Sequence, residues 1–245
     1  YDLEKTYTWF IQYMCSQLFR TERGLNRLTS LMRKQYGVKN PFLQRDLAIA
    51  FIENIKGYYG TLWTEAYWEI LETPNDSVGF IISDNPITVY NNDCCPCSKE
   101  CIFPNDPNPE YIGSQTIFPL SKSKCLILTN KEFITLKGKY PKKRRTNMDP
   151  YRTAIFNFMT IDRGRKITVD DVIRINFILK KRAHAFIASD NKDLLYPERV
   201  VKNTNWEENG AVLKPNPKYN IESELIYVKY SDGHSITRDY LGRVN

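Results

Sequence analysis

One stretch of this chain, residues 79–90, has the pattern of an apolar strand that Ser-Asp-Asn-Pro interrupts midway. Carboxylate and amide side chains are poor strand formers, and proline cannot donate a hydrogen bond to a neighbouring strand. A second apolar run, residues 117–121, also ends in proline and a hydroxyl. We therefore expect the two runs to be neighbours in one sheet, with Asp84, Asn85 and Ser121 together at one end of it.

Apolar residues at helical spacing predict several helices. We expect one over about residues 2–19 and a second from Asn40-Pro41, a cap followed by a first-turn proline, to Gly57. A third helix, rich in Trp and Tyr, is expected over residues 62–71. A later helix should begin at Thr168, because two aspartates follow that residue and a run of basic residues closes the segment.

Strand patterns dominate residues 80–136, apart from a long loop over residues 91–114 that is rich in Asn, Asp and Pro. Near the C terminus, an Asp-Gly turn between two short apolar runs predicts a hairpin. The sequence therefore predicts an α+β fold: N-terminal helices packed on a mostly antiparallel sheet, then a late long helix. Residues 1–190 are expected to form a single domain, and residues 191–245 a C-terminal extension with a β-hairpin.

The positive charge is concentrated in one segment, residues 131–182. This segment holds 15 basic and 5 acidic residues, a net charge of +10, whereas the whole chain has +7. Its densest part contains Lys142, Lys143, Arg144 and Arg145. Clustered cations suit contact with phosphates, so nucleic acid is an expected partner of this segment. A solvated surface loop is the alternative interpretation, because basic runs also occur without a nucleic-acid partner.

Five segments follow one another in this chain: Gln-x-x-Arg-Thr at residues 17–21, a Trp segment at 68–71, Ser-Asp-Asn-Pro within 80–89, Pro-Leu-Ser within 118–121, and a late helix with Asn176. In this order they resemble the bacterial domain-of-unknown-function 4238 family. The family shows a helix with Gln-x-x-Arg-Thr, a segment with Trp, a strand with Ser-Asp-Asn-Pro, a strand with Pro-Leu-Ser and a late helix with Asn. The resemblance covers roughly residues 1–190 and implies a fold and the location of a site, but no reaction.

Polar residues of these segments are the candidate site residues, and they allow two interpretations. In one, Arg20 and Asp84 form a buried charge pair whose leftover hydrogen bonds are satisfied by neighbouring amides, so that the network only fixes a helix to the sheet. In the other, Asp84 is a general base or metal ligand and Arg20 holds a phosphate or carboxylate. The candidate catalytic residues are Asp84, Asn85, Arg20 and Ser121, and the candidate binding residues are Gln17 and Asn176, together with the four basic residues above.

The functional interpretation leads to a nucleic-acid-processing effector, a metal-assisted nuclease with a divalent cation at Asp84. Magnesium requires several oxygen ligands, and Glu65, Glu69 and Glu72 could supply a further carboxylate if they lie on one face of the expected helix. The alternative belongs to another class. In it, the chain is a non-catalytic module that binds nucleic acid or a protein partner.

Four of the six cysteines fall within eight positions of the long loop. Cys94, Cys97 and Cys101 could hold zinc with a fourth ligand from elsewhere, although paired zinc sites usually contain two separated Cys-x-x-Cys motifs. A disulfide within the loop is the alternative, favoured by oxidising and disfavoured by reducing surroundings. In either case we expect the cysteines to fasten the loop, which would be ordered but peripheral.

Several classes of protein lack support in the sequence. No apolar run approaches the ~20 residues of a membrane span, so we expect no membrane contact and a cytoplasmic location. The chain has no Gly-rich phosphate loop, no dinucleotide fingerprint and no Gly-x-Ser-x-Gly motif. Nucleotide-driven motors, Rossmann dehydrogenases and ordinary serine hydrolases are therefore poorly supported.

Overall fold

A computed structural model describes residues 3–37, 51–52, 56–146, 161–201, 205–223 and 225–240. We number five α-helices: α1 (Leu3–Phe19), α2 (Glu22–Tyr36), α3 (Lys131–Thr135), α4 (Val169–Arg182) and α5 (Trp206–Asn209). Residues 51–52 and 56–64 are also helical. The strands are β1 (Ala66–Glu72), β2 (Ile82–Ser83), β3 (Thr88–Tyr90), β4 (Gln115–Pro119), β5 (Lys124–Asn130), β6 (Asp162–Lys166), β7 (Ile187–Ala188), β8 (Ile226–Lys229) and β9 (Ser235–Arg238). The α+β class is confirmed.

Five strands form the main sheet in the order β3-β4-β5-β1-β6. All neighbours are antiparallel except β1 and β6, which are parallel. β2 pairs with β7, and β8 with β9, in two small antiparallel sheets. The sheet is thus mostly antiparallel, as the sequence predicts.

Helices cover both faces of this sheet. Successive residues of a strand point to opposite faces, and in β4 Ile117 joins one buried cluster and Phe118 the other. The cluster on one face includes α4, and the cluster on the other includes α1 and the helical residues 59–63. The main sheet therefore lies between two helical layers, which places the C-terminal end of α1 near the ends of the central strands.

Several predicted elements are confirmed. Helix α1 occupies the expected segment, and α4 begins with a complete capping box between Thr168 and Asp171. The capping box satisfies backbone N–H groups of the first turn, and the acidic first turn and basic last turn of α4 complement its dipole. The C-terminal hairpin pairs β8 with β9, and Gly233 takes the left-handed conformation (φ 91°) in its turn.

The helix expected over residues 62–71 is wrong, because most of that segment is strand β1. This strand lies inside the sheet between β5 and β6 and is buried on both faces. A strand with two buried faces shows continuous apolar and aromatic residues instead of alternation, so its pattern imitates that of a buried helix. The carboxylates of Glu65, Glu69 and Glu72 accordingly do not share a helical face.

Other expectations need correction or lie outside the described residues. The helix expected from Asn40 falls mostly on residues that the structure does not describe, but Gly57 does not end a helix, because residues 56–64 are helical. The interrupted strand forms two separate strands, β2 and β3, and only β3 pairs with β4. Residues 131–135 form the short helix α3 instead of strand.

Candidate functional site

Three of the motif segments meet at one open cleft of about 910 Å³. It lies between the end of α1, strand β2, the end of β4 and the residues before β7. The end of α1 contributes the Gln-x-x-Arg-Thr residues, and the strands contribute parts of Ser-Asp-Asn-Pro and Pro-Leu-Ser. The lining residues are Phe10, Tyr13, Gln17, Arg20, Thr21, Glu22, Ile82, Ser83, Asp84, Pro86, Phe118, Pro119, Leu120, Ala185 and Phe186.

Gln17 and Arg20 present polar groups to this cleft, and these groups form no hydrogen bonds with the described part of the chain. Gln17 is 5% exposed and lines the cleft, and its amide, which is not fully enclosed, makes no hydrogen bond with the described residues. The guanidinium of the exposed Arg20 likewise has no partner within the described ranges. A side-chain amide that is open to a cleft can both donate and accept hydrogen bonds there. The pair is thus positioned to bind a group that enters the cleft.

Hydrogen bonds at the junction between α1 and α2 order the backbone that carries Arg20. Thr21 caps α2, since its hydroxyl oxygen accepts a hydrogen bond from the backbone N–H of Gly24 at 3.0 Å. The same hydroxyl donates to the carbonyl of Leu18 at 3.2 Å. The chain therefore turns sharply after Phe19, and Arg20 projects from the turn.

The carboxylate of Asp84 is held by backbone amides. One of its oxygens accepts from the N–H of His184 at 2.9 Å and the other from the N–H of Ala185 at 2.6 Å. The backbone N–H of Asp84 donates to the carbonyl of Phe186 at 3.2 Å. Asp84 thus ties β2 to the turn after α4. The charge pair expected between Asp84 and Arg20 is not formed, because backbone donors occupy the carboxylate instead.

Asn85 and Asn176 lie behind the cleft and are structural. The Nδ2 of Asn85 donates to the carbonyl of Arg182 at 3.1 Å, and the side chain is 1% exposed. Asn176 is fully buried in α4, where its Nδ2 donates to the carbonyl of Gly79 and its Oδ1 accepts from the N–H of Ile81. The structure therefore places neither amide among the groups that line the cleft.

Ser121 has a local role in the turn between β4 and β5. Its hydroxyl oxygen accepts from the backbone N–H groups of Ser123 at 3.2 Å and Lys124 at 3.1 Å. It does not line the cleft, whereas the preceding Pro119 and Leu120 do. The expectation that Ser121 meets Asp84 and Asn85 at one site is wrong, because Ser121 lies in the turn after β4 and only Asp84 of the three lines the cleft.

The basic residues 142–145 have partners within the chain. Lys142 pairs with Glu100 at 3.3 Å, Lys143 with Glu132 at 3.0 Å and Arg144 with Glu110 at 3.6 Å. Arg145 is buried and donates to the carbonyl of Leu62 at 3.1 Å, and its burial lowers its pKa to about 10. These four residues therefore fasten their segment to the long loop, to α3 and to the residues before β1.

The cysteines of the long loop fall into two pairs. The Sγ atoms of Cys95 and Cys97 are 2.7 Å apart, at the surface. Cys94 and Cys101 are buried, and a hydrogen bond from Cys94 lowers the pKa of Cys101 to about 6, an effect that Ser98 and Arg182 reinforce against burial. The guanidinium of Arg182 also donates to the carbonyl of Cys94 at 2.9 Å.

A metal-binding group of three or more His, Cys, Asp or Glu side chains does not occur among the described residues. Cys94, Cys97 and Cys101 are thus not gathered as a zinc triad, since the sulfurs contact one another as Cys94 with Cys101 and Cys95 with Cys97. Asp84 likewise belongs to no group of three such side chains in the described part of the chain. Cys94 and Cys101 are buried, so the loop is not wholly peripheral.

Sequence reasoning missed the side walls of the cleft. Phe10, Tyr13, Phe118 and Phe186 supply aromatic surface, and Glu22 adds a carboxylate at the start of α2. Tyr13 of α1 is 51% exposed and forms part of this wall. The signal that could have found this wall is that Tyr13 lies one turn before Gln17 on the same helix.

His184 is a further residue at the edge of the site. Its Nε2 lies 3.5 Å from the carboxylate of Glu22, and its ring stacks on Phe103 at 4.4 Å between centroids. Because its backbone also binds Asp84, His184 links α2, the long loop and the turn after α4. No spacing in the sequence relates it to Glu22.

Comparison with known proteins gives one family. The profile described as "Protein of unknown function (DUF4238)" matches residues 11–193, which include all the residues that line the cleft except Phe10. No curated protein and no solved structure matches the chain. In the described residues, no helix is long and apolar enough to cross a membrane.

Proposed function

We propose that this chain, which belongs to the DUF4238 family of proteins of unknown function, is a non-catalytic binding module whose cleft holds an extended segment of a partner protein. The observation that carries the proposal is the side-chain amide of the largely buried Gln17. It faces the cleft without a hydrogen-bond partner in the described chain, beside the open guanidinium of Arg20. An amide can both donate to and accept from a peptide backbone, and a guanidinium can bind a carboxylate or carbonyl.

The apolar walls support a protein partner. Ile82 is 60% exposed, Phe186 62% and Tyr13 51%, and all three line the cleft. A contiguous exposed apolar surface rimmed by polar groups is typical of interaction sites, and Tyr, Phe and Arg are enriched in protein interfaces. A segment with an apolar side chain and a carboxylate would match both parts of the cleft.

The charges favour a peptide over a nucleic acid. The cleft contains one cation, Arg20, and two carboxylates, Asp84 and Glu22. A phosphate backbone requires several cations for its affinity. Residues 142–145 pair with groups of the chain itself, so they would have to release these partners before binding phosphates.

A metal-assisted nuclease is the competing proposal, and the observation that favours it is that Asp84 lines the cleft. Its two oxygens already accept backbone N–H groups, which leaves fewer lone pairs for a cation or a proton. Incubation with labelled RNA and DNA under magnesium and manganese decides between the proposals. Cleavage that disappears in Asp84→Ala would favour the nuclease over the binding module.

The binding proposal is tested with a displayed library of random peptides. We expect enriched sequences that combine an aromatic or aliphatic residue with an acidic one. Synthetic versions, measured by fluorescence anisotropy, should bind Arg20→Ala and Gln17→Ala about tenfold more weakly, the factor for loss of about 1.4 kcal/mol. Lys139→Ala is the matched control, because Lys139 is exposed but does not line the cleft.

Two results would contradict the binding proposal. One is a library without any enriched sequence. The other is an enriched peptide that binds wild type, Arg20→Ala and Gln17→Ala equally, because its site would then lie elsewhere. A nucleic-acid ligand would show a different signature, namely an affinity that falls steeply with salt as phosphates release counterions.

A further inference from the structure

Two thiols of the long loop lie in contact at the protein surface. The Sγ atoms of Cys95 and Cys97 are 2.7 Å apart, and only Pro96 separates the two residues in sequence. A disulfide requires an S–S distance of about 2.05 Å, so a small movement would join these sulfurs. Cys97 is exposed and Cys95 is partly exposed, so reagents in solution can reach the pair.

The other two thiols of the loop are enclosed. Cys94 is fully buried and Cys101 is 1% exposed. The Sγ of Cys94 lies 3.5 Å from the carboxylate of Glu100, and the buried Arg182 donates to the carbonyl of Cys94. Reaction with a thiol reagent requires both a thiolate and access to its sulfur, and the enclosed sulfurs of Cys94 and Cys101 lack this access. The loop therefore contains one accessible thiol pair and one inaccessible pair.

We propose that Cys95 and Cys97 form a redox-active thiol pair that reacts with low-molecular-weight disulfides, while Cys94 and Cys101 remain reduced in the interior. This site is independent of the cleft and of the function proposed for it. Cys95 also packs against the core that contains α4, so its oxidation state changes a group in contact with the core.

The reaction is a thiol–disulfide exchange in two steps. The thiolate of Cys97 attacks one sulfur of the reagent, the S–S bond of the reagent breaks, and one reagent thiolate leaves. The thiolate of Cys95 then attacks the Sγ of Cys97 and displaces the second reagent thiolate. The two protons from the protein thiols end on the two released thiols. The protein pair is oxidised by two electrons, and the reagent disulfide is reduced by two.

The positions of lysine in the sequence make the test direct. Trypsin cuts after Lys56, Lys99 and Lys122, so Cys94, Cys95 and Cys97 fall in the peptide 57–99 and Cys101 falls in the peptide 100–122. A Cys95–Cys97 disulfide is therefore internal to one peptide. A disulfide from Cys101 to any other thiol of the loop instead links two peptides.

The experiment treats the reduced full chain with oxidised glutathione at mildly alkaline pH, blocks the remaining thiols by alkylation and maps the tryptic peptides by mass spectrometry. We expect the peptide 57–99 to lose two hydrogen atoms and to keep one alkylated thiol, Cys94, while Cys101 is alkylated in full. In Cys97→Ser the internal disulfide should be absent. Cys101→Ser is the matched control and should oxidise at the wild-type rate.

Three outcomes would overturn the proposal. The first is a cross-link between the peptides 57–99 and 100–122 as the main product. The second is the absence of oxidation while an added small thiol in the same tube is oxidised. The third is zinc bound to the purified chain in equimolar amount, with oxidation only after chelation. The wild-type peptide map decides the matter even if a serine variant fails to fold.

Discussion

Asn176 in α4 is hydrogen-bonded to the backbone of Ile81, the residue just before β2: its Oδ1 accepts from the N–H of Ile81 at 3.0 Å. Its Nδ2 donates to the carbonyl of Gly79 at 2.9 Å. The side chain therefore pairs with the backbone as a neighbouring strand would. This contact fixes α4 to the segment that carries Ile82, Ser83 and Asp84 into the cleft.

Replacement of Asn176 by leucine should destabilise the protein strongly. The variant would leave a buried N–H and a buried carbonyl without partners, at about 1–3 kcal/mol each. Chemical denaturation should therefore show a loss of about 2–5 kcal/mol in the free energy of unfolding. Asn75→Ala, at an exposed turn, serves as the control. A loss below 1 kcal/mol, about the size of a surface substitution, would mean that the bond to Ile81 is not structural.

Substitution by alanine should affect the free energy of unfolding very differently at Arg20 and at Arg23, although the two residues are three positions apart. Arg20 is exposed and unpartnered in the described chain, so Arg20→Ala should change the free energy of unfolding by less than about 0.5 kcal/mol. Arg23 is buried and pairs with the buried Asp106 at 3.0 Å. Arg23→Ala should cost about 1.5–3 kcal/mol, because it removes the hydrogen bonds of Arg23 to the buried carboxylate of Asp106, which then keeps Arg27 at 3.3 Å as its partner.

The same denaturation curves test both variants. A large loss of stability in Arg20→Ala would show that this arginine has a structural partner, and it would weaken the binding proposal. A small loss in Arg23→Ala would show that Arg27 compensates the carboxylate of Asp106 without Arg23.

Glu132 should make the stability of the protein depend on acid pH. Burial alone would raise the pKa of Glu132, but hydrogen bonds from the N–H of Thr146 and from Lys143 outweigh burial and lower it. A group whose pKa is lower in the folded state stabilises that state above its ordinary pKa and loses this effect as the pH falls through the folded pKa. The contribution of Glu132 is therefore full at neutral pH and disappears in acid.

The measurement compares Glu132→Gln with wild type across this range. At neutral pH we expect the variant to be less stable by about 1.5–3 kcal/mol, the value of hydrogen bonds to a charged group. The difference should shrink as the pH falls below the ordinary glutamate pKa of about 4.3. A difference that is constant across the range would indicate lost packing instead of lost charge. Glu222→Gln, at an exposed glutamate, is the control.

Substitution by alanine should affect stability differently at Gly24 and at Gly60. A Cβ on Gly24 would lie 2.1 Å from the backbone carbonyl oxygen of Leu18, so Gly24→Ala should force apart the junction between α1 and α2. We expect a cost of about 1–3 kcal/mol, as for other overpacked sites, together with weaker peptide binding because this junction positions Arg20. Thermal unfolding and anisotropy measure the two effects.

Gly60→Ala is the matched control for Gly24→Ala. A Cβ at Gly60 would meet only a methyl group of Ile11 at 3.5 Å, an ordinary contact. Residues 56–64 are helical, and alanine favours a helix over glycine, so this variant should be neutral or more stable. Equal effects of the two substitutions would contradict the close approach at Gly24.

The sequence by itself determined those elements whose signals lie within a few neighbouring residues. The capping residue Thr168, the Asp-Gly turn of the hairpin and the periodicity of α1 are local signals, and each element formed where it was expected. The motif segments also indicated which parts of the chain meet, and three of them meet at the cleft. Local hydrogen bonding and side-chain spacing are encoded within a few residues, so they can be recognised without the fold.

Only the tertiary structure decided what each polar residue of those segments does. Asn85, Asn176 and Ser121 are engaged by backbone groups, whereas Gln17 and Arg20 face the cleft without a partner in the described chain. The same holds for β1, whose two buried faces made its pattern resemble a helix. Burial and hydrogen-bond partners arise from residues far apart in sequence, such as the 95 positions between Ile81 and Asn176, and no local pattern specifies them.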